Sequence, residues 1–220
     1  RPKLVIGPWQ HAFNTRSLGK TDFGPEAQIG WDAYCCKWFD HYLLGANNGV
    51  ENDPAVYLFV MGRNRWRTGT DWPLPETKWT KYYLHSQGKA NTVGGDGTLS
   101  ADPPKLEPQD HYVYDPALPA LSPYAAGGHL EDGPVDSRLA ARGSDVLVYT
   151  TEPLKEDLEV VGPISAKLYA ATSAKDTDWM MRLADVHPDG FSAFLCDGVM
   201  RARHRDPDNH GAYNPAKLST

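Results

Sequence analysis

Two continuous apolar runs bracket one helical stripe near the start of this 220-residue chain. The first is "KLVIG" (Lys3 to Gly7) and the second "AVYLFVMG" (Ala55 to Gly62). Neither alternates with polar residues, which is the pattern of a strand covered on both faces, as in a parallel sheet. Between them Trp31, Tyr34, Cys35, Trp38, Phe39, Tyr42 and Leu43 recur in steps of three and four, the period of an amphipathic helix. Pro25 and Glu26 open that helix, since proline is tolerated in a first turn, and Gly45 closes it. Strand, helix and strand in this order predict a parallel βαβ unit. Two strands and one helix are the end of a doubly wound domain, not the whole of one.

From about Trp72 the chain changes character. Proline and glycine become frequent and helical periodicity is lost. Strand candidates recur at 81–85, 111–115, 145–151, 158–162, 164–172, 179–186 and 191–203. Turn chemistry separates them, with "GGDG" at Gly94 to Gly97 and "HPDG" at His187 to Gly190; the latter predicts a hairpin. Many strands, little helix and Gly/Pro turns predict a sandwich or jelly roll. The linker "DWPLPETKW" (Asp71 to Trp79) marks a boundary, giving domains at 1–73 and 74–220. Trp66, Trp72 and Trp79 gather there and are expected to pack the two domains together.

Composition narrows the partners. Apolar residues make up 40% and aromatics 11%, which is globular rather than disordered. A net charge of -6 argues against nucleic acid and anionic membranes, both of which call for a basic surface. The one basic cluster, "RARHR" (Arg201 to Arg205), alternates along an expected strand and reads as its solvated face. No run approaches the ~20 apolar residues of a membrane span, so the chain reads as soluble, cytoplasmic or secreted. Three cysteines are too few and too odd in number for a disulfide framework. The chain opens on Arg1, so a signal peptide or a preceding domain stays open, as does homo-oligomer formation.

Metal-type residues occur in "HRDPDNH" (His204 to His210) and "HLED" (His129 to Asp132), without a tight zinc spacing. A solvated loop is the better reading of each. Asp176 and Asp178 in "KDTDW" offer carboxylates of the kind calcium takes, but no EF-hand-like loop surrounds them, so turn or strand-edge roles are expected. No metal and no cofactor is implied.

Several motifs in one order carry a resemblance. "GPWQH", "WFDHYLLG", "LFVMGRNRWR" and "DWPLPETKWTKYYLH" are followed by "GGDGTLS", "YVYDP", "VLVYTTEPL", "DLEVVGPI", "DTDWMMRLADVHPDG" and "DGVMRARHR". Together they resemble the X-Pro dipeptidyl-peptidase and cocaine-esterase group of α/β-hydrolases, over essentially the whole chain. The resemblance implies an α/β-hydrolase end followed by a jelly-roll, galactose-binding-like sandwich. It implies cleavage of small-molecule acyl esters or amides, or of X-Pro peptides, by a Ser-His-Asp triad.

In that group the triad histidine follows the last sheet strand within Gly-Pro-Trp-x-His, which falls here on His11. The imidazole takes the serine proton and later gives it to the leaving group. A strand end with a proline-stiffened turn suits that task. Trp9, beside it, is a weaker candidate for lining the acyl pocket, since a large aromatic there is more often core. The rest of the triad is not found: no Gly-x-Ser-x-Gly elbow occurs in the 220 residues. Because chain order in this fold is nucleophile, acid, histidine, the serine and aspartate are expected upstream of Arg1. The family's further strands are expected beyond the polar C-terminal stretch, so the chain reads as a segment truncated at both ends and inactive alone. A second reading, a non-catalytic module binding carbohydrate or protein, stands beside it, because a fold does not fix a function.

Overall fold

The computed structural model describes residues 3–11, 13–119 and 135–205. Strand β1 (Leu4–Ile6) leads to a small hairpin of β2 (Ser17–Leu18) and β3 (Thr21–Asp22), then to helix α1 (Trp31–Leu44). Next come β4 (Val56–Val60) and β5 (Arg65–Gly69). β1 pairs parallel with β4, Leu4 opposite Val56 and Ile6 opposite Leu58, so the expected strand-helix-strand unit is present. β5 lies antiparallel on the other side of β4, with Phe59 opposite Trp66. Its sequence, Arg-Trp-Arg-Thr-Gly, is too polar to read as a buried strand, and it was not anticipated.

Why the β4 run does not alternate is clear from its two neighbours. Val56 and Leu58 pack with Leu74, flanked by Leu4, Trp72 and Val161. From the opposite face Phe59 packs with Phe23 and Ala27, and Tyr57 meets Tyr34 of α1 edge-on at 6.4 Å. Both faces are apolar because both are covered. Gly69 makes room for Leu74, whose side chain a Cβ at that position would strike.

The helix starts later than its proline suggested. Pro25–Ala27 form a single 3₁₀ turn, after which Gln28 is extended at φ -92°. The chain straightens there because the Ile29 backbone is bonded to the Asn14 side chain, and α1 begins only at Trp31. Its other end is as expected: Gly45 is left-handed at φ 71°, and the Ala46 N–H reaches back to the Asp40 carbonyl at 3.1 Å. Lys37 pairs with Asp53 at 2.7 Å and ties the helix to the segment before β4. Trp31, Tyr34, Cys35 and Trp38 are half-buried, while Phe39, Tyr42 and Leu43 face solvent. Only the first half of the apolar stripe is covered.

Further along the chain, β6 (Tyr83–His85) pairs antiparallel with β7 (Thr98–Ser100). Between them Gly95 and Gly97 lie hard against the Lys89 and Val148 carbonyls, where no Cβ would fit. Residues 145–151 do not form a regular strand but bond on both sides: Val148 N–H to Ala90 O at 2.8 Å and Leu99 N–H to Thr150 O at 3.0 Å. β8 (Asp178–Val186) and β9 (Ser192–Arg201) form the expected hairpin, closed where the Gly190 N–H meets the His187 carbonyl at 2.9 Å. β9 also bonds residues 135–137, Phe194 N–H to Val135 O at 3.0 Å.

Three strand candidates have no ladder. Residues 111–115, 158–162 and 164–172 carry no strand, and Val113, Val160, Ile164 and Tyr169 stand exposed. Apolar alternation alone makes no strand; a neighbouring backbone must be within reach. β9 ends at Arg201 and Ala202–His204 form a 3₁₀ turn, so the basic cluster is not one strand face. Nor do the three tryptophans gather: Trp66 packs with the Phe23 cluster, Trp72 with the Leu74 cluster, and Trp79 is 67% exposed. Strands still dominate the regular structure. Cys35, Cys36 and Cys196 are all free, and no helix among the described residues is long and apolar enough to cross a membrane.

Candidate functional site

The turn after β1 is built from aromatic packing. Pro8 is buried and His11 is exposed, five residues past the carboxyl end of the strand. The Trp9 indole N–H donates to the Ala27 carbonyl at 2.9 Å. The Trp9 ring meets Phe13 edge-on at 4.6 Å and Trp66 at 5.7 Å. Phe13 in turn meets Trp31, the first residue of α1, at 4.7 Å, and Trp66 meets Phe59 of β4 at 5.4 Å. The turn therefore rests on the sheet through Trp66 and on the helix through Trp31.

Of the two residues singled out in the sequence, His11 is accessible and Trp9 is half-buried, packed against Phe13 and Trp66. The open cavity beside the turn, about 350 Å³, is lined by Phe13, Asn14, Ile29, Trp31 and Asp32 among others. Trp9 is not part of that lining. Asn14, which lines the cavity, was not singled out in the sequence. It sits at φ 59° and clasps Ile29 by both edges of its amide, at 2.9 and 2.8 Å. Its only sequence signal is the tolerance of asparagine for left-handed backbone.

A second constellation imitates a triad and is not one. Ser100 Oγ lies 3.2 Å from His85 Nε2, and His85 Nδ1 lies 2.7 Å from Glu107 Oε1. That is the order nucleophile, base, acid. Yet Nε2 also faces the Asp102 carbonyl at 3.0 Å, a partner that can only accept. Nε2 therefore carries a hydrogen and has no lone pair with which to take the serine proton. The Asp102 N–H donates to Ser100 Oγ at 3.2 Å, closing the turn. With acceptors facing both ring nitrogens, the surroundings of His85 favour its protonated form. The Glu107 hydrogen bond, reinforced by Glu107 and Asp102 charge, raises its pKa, and the same bond lowers that of Glu107. The group is a clamp between β6 and the 102–107 segment.

The acidic pair at the start of β8 is likewise occupied. Asp178 takes the Arg201 guanidinium at two points, each 2.7 Å, and Asp176 takes Arg203. These are strand-edge ion pairs, as expected, and the basic residues are their partners. Among the described residues no group of His, Cys, Asp or Glu is gathered to hold a metal ion. His129 to Asp132 and residues 206–210 lie outside the described residues.

An accessible histidine past the end of a parallel strand, with a strand-rich region downstream, defines a class of chain, and comparison gives it a family. Residues 48–217 match the family described as X-Pro dipeptidyl-peptidase C-terminal non-catalytic domain, and the chain belongs to it, as the C-terminal portion of an X-Pro peptidase and cocaine-esterase type protein. The cocaine esterase of Rhodococcus sp. (strain MB1 Bresler) is 42% identical over 216 residues, spanning 93% of this chain and 36% of that protein. The crystal structure of an aminopeptidase from a marine sediment archaeon, Thaumarchaeota archaeon, superposes with a TM-score of 0.71 at 32% identity, over 93% of this chain and 35% of that one. An α-amino acid ester hydrolase superposes with a TM-score of 0.68 at 24% identity, over 93% and 36%, and shows a shared fold. The chain thus spans about a third of the length of these relatives. Ester hydrolases are among its homologues.

Proposed function

We propose that this chain is the histidine-bearing part of a serine hydrolase that cleaves acyl ester or amide bonds, X-Pro peptides included. His11 is the base of its Ser-His-Asp triad, and the serine and aspartate belong to a longer gene product. One observation carries the reading: His11 is exposed past the carboxyl end of β1, a strand paired in parallel with β4. In open sheets of this kind reacting groups gather beyond the carboxyl ends of the strands. The burial of Pro8 and the Trp9–Phe13 contact support the reading, since a proton-transfer group must be held in place. On this reading residues 1–73 close the catalytic domain and 74–220 form a jelly-roll sandwich.

The binding-module reading applies to the second part. The matched residues, 48–217, belong to a domain described as non-catalytic, and His11 lies outside them. The two readings overlap at residues 48–73, which lie inside that match and are read here as the end of the catalytic domain. In the full-length gene product, a fluorophosphonate should label the serine, and His11→Ala should lower ester turnover by on the order of 10⁴ without unfolding. The 220-residue chain alone should not label. Near-normal turnover after His11→Ala, or stoichiometric labelling of the short chain, sinks the proposal.

A further inference from the structure

We infer that Asn14 is a positioning residue for His11, its side-chain amide fixing the far side of the turn that presents the imidazole. The inference rests on reading His11 as the base. The near side of the turn is fixed by β1, by Pro8 and by Trp9, whose N–H is bonded to Ala27. On the far side the next regular element is only the two-residue β2 at Ser17. Asn14 supplies what a strand would. Its Nδ2 donates to the Ile29 carbonyl at 2.9 Å, and its Oδ1 accepts from the Ile29 N–H at 2.8 Å. That is the double exchange of an antiparallel bonded pair, made by a side chain. Gln28 Nε2 adds a third bond, to the Asn14 carbonyl at 3.1 Å.

The two sides also lock to each other. Phe13 and Trp9, two residues either side of His11, meet at 4.6 Å. Asn14 fits the post in two independent ways. It tolerates φ 59°, and its amide holds one donor and one acceptor at the spacing of a peptide edge. Aspartate would keep only the acceptor, and glycine would keep only the backbone. Asn14 belongs to neither core cluster and is only half-buried. What it anchors is the turn, so its loss should be felt in proton transfer more than in folding. A displacement of about 1 Å in a reacting group can cost on the order of 10²-fold in rate.

The test uses the full-length gene product with p-nitrophenyl butyrate as the ester. Asn14→Gly keeps the backbone conformation and removes both amide bonds; Asn14→Asp removes one. Asn14→Gly is expected to lower kcat by about 10- to 100-fold, with KM and melting temperature nearly unchanged and Asn14→Asp in between. Introduced into His11→Ala, Asn14→Gly should cost nothing further, because it acts through the histidine. Wild-type kcat in Asn14→Gly, alongside an inactive His11→Ala, overturns the inference and leaves the base intact. So does an equal loss on both backgrounds, or a loss that tracks the melting temperature across the two variants. An active His11→Ala overturns the reading of His11 and this inference with it.

Discussion

The indole of Trp9 lies so close over Gly7 that a Cβ built on the glycine would stand 2.5 Å from the ring atoms. The two residues belong to the same short motif, and each explains the other. Trp9 is held by its bond to Ala27 and by its contacts with Phe13 and Trp66, so it cannot yield. The glycine is therefore required by a close approach, not by a left-handed backbone. Gly7→Ala should destabilise the protein by about 1–3 kcal/mol, the usual cost of overpacking. Thermal unfolding followed by tryptophan fluorescence reads this. Trimming the ring as well, in Gly7→Ala with Trp9→Leu, should cost less than the two single changes added together. Strict additivity would show that the ring does not press on residue 7.

His85 and Glu107 make stability depend on pH from both sides. Both side chains are mostly buried, 17% and 23% exposed, and joined at 2.7 Å. The histidine's pKa is raised in the fold, chiefly by the Glu107 hydrogen bond. Its contribution is thus complete below the unfolded value of about 6.5 and is lost as pH rises through the higher folded one. Glu107 is lowered, chiefly by the same bond. Its contribution is present above about 4.3 and is lost as pH falls through the lower folded value. The clamp is strongest between the two. The melting-temperature gap between wild type and Glu107→Gln should be largest between about pH 4.3 and 6.5 and shrink as pH rises through the raised folded value of His85. A gap that does not change with pH anywhere above about 6.5 would mean that His85 does not carry the charge.

How far this architecture could be read from sequence depended on whether the signal was local. The β1 and β4 runs, the Gly45 stop and the His187–Gly190 turn are each specified by a few adjacent residues, and all are present. β5 was missed because its neighbours in space, not its own residues, make it a strand. Residues 158–172 erred in the opposite direction: their apolar alternation is real, but no described strand lies alongside. At the candidate site, the strand end and the turn that exposes His11 were legible from the apolar run and the Gly-Pro-Trp that follows it. The Asn14 clasp was not, since its partner Ile29 is 15 residues away and contributes only backbone.

The outer side of α1 gives the last prediction. Phe39, Tyr42 and Leu43 are 55, 46 and 74% exposed and sit at i, i+3 and i+4, with Leu44 beside them at 78%. Such spacing stacks side chains into one patch. Isolated exposed apolar residues are ordinary, but a contiguous patch of large ones invites association, and each Å² covered stabilises by roughly 25 cal/mol. Other apolar residues, Leu158 and Ile164 among them, are as exposed but lie scattered along an extended segment. The helix face should therefore dominate. The 220-residue chain is expected to self-associate in sedimentation velocity at tens of micromolar. Leu43→Lys with Leu44→Lys should largely restore a monomer, because lysine keeps the helix and removes the patch, whereas Leu158→Lys should change little. A chain that is monodisperse and monomeric across concentrations would show that this face is tolerated in water. Equal rescue by Leu158→Lys would place the association on the extended segment instead.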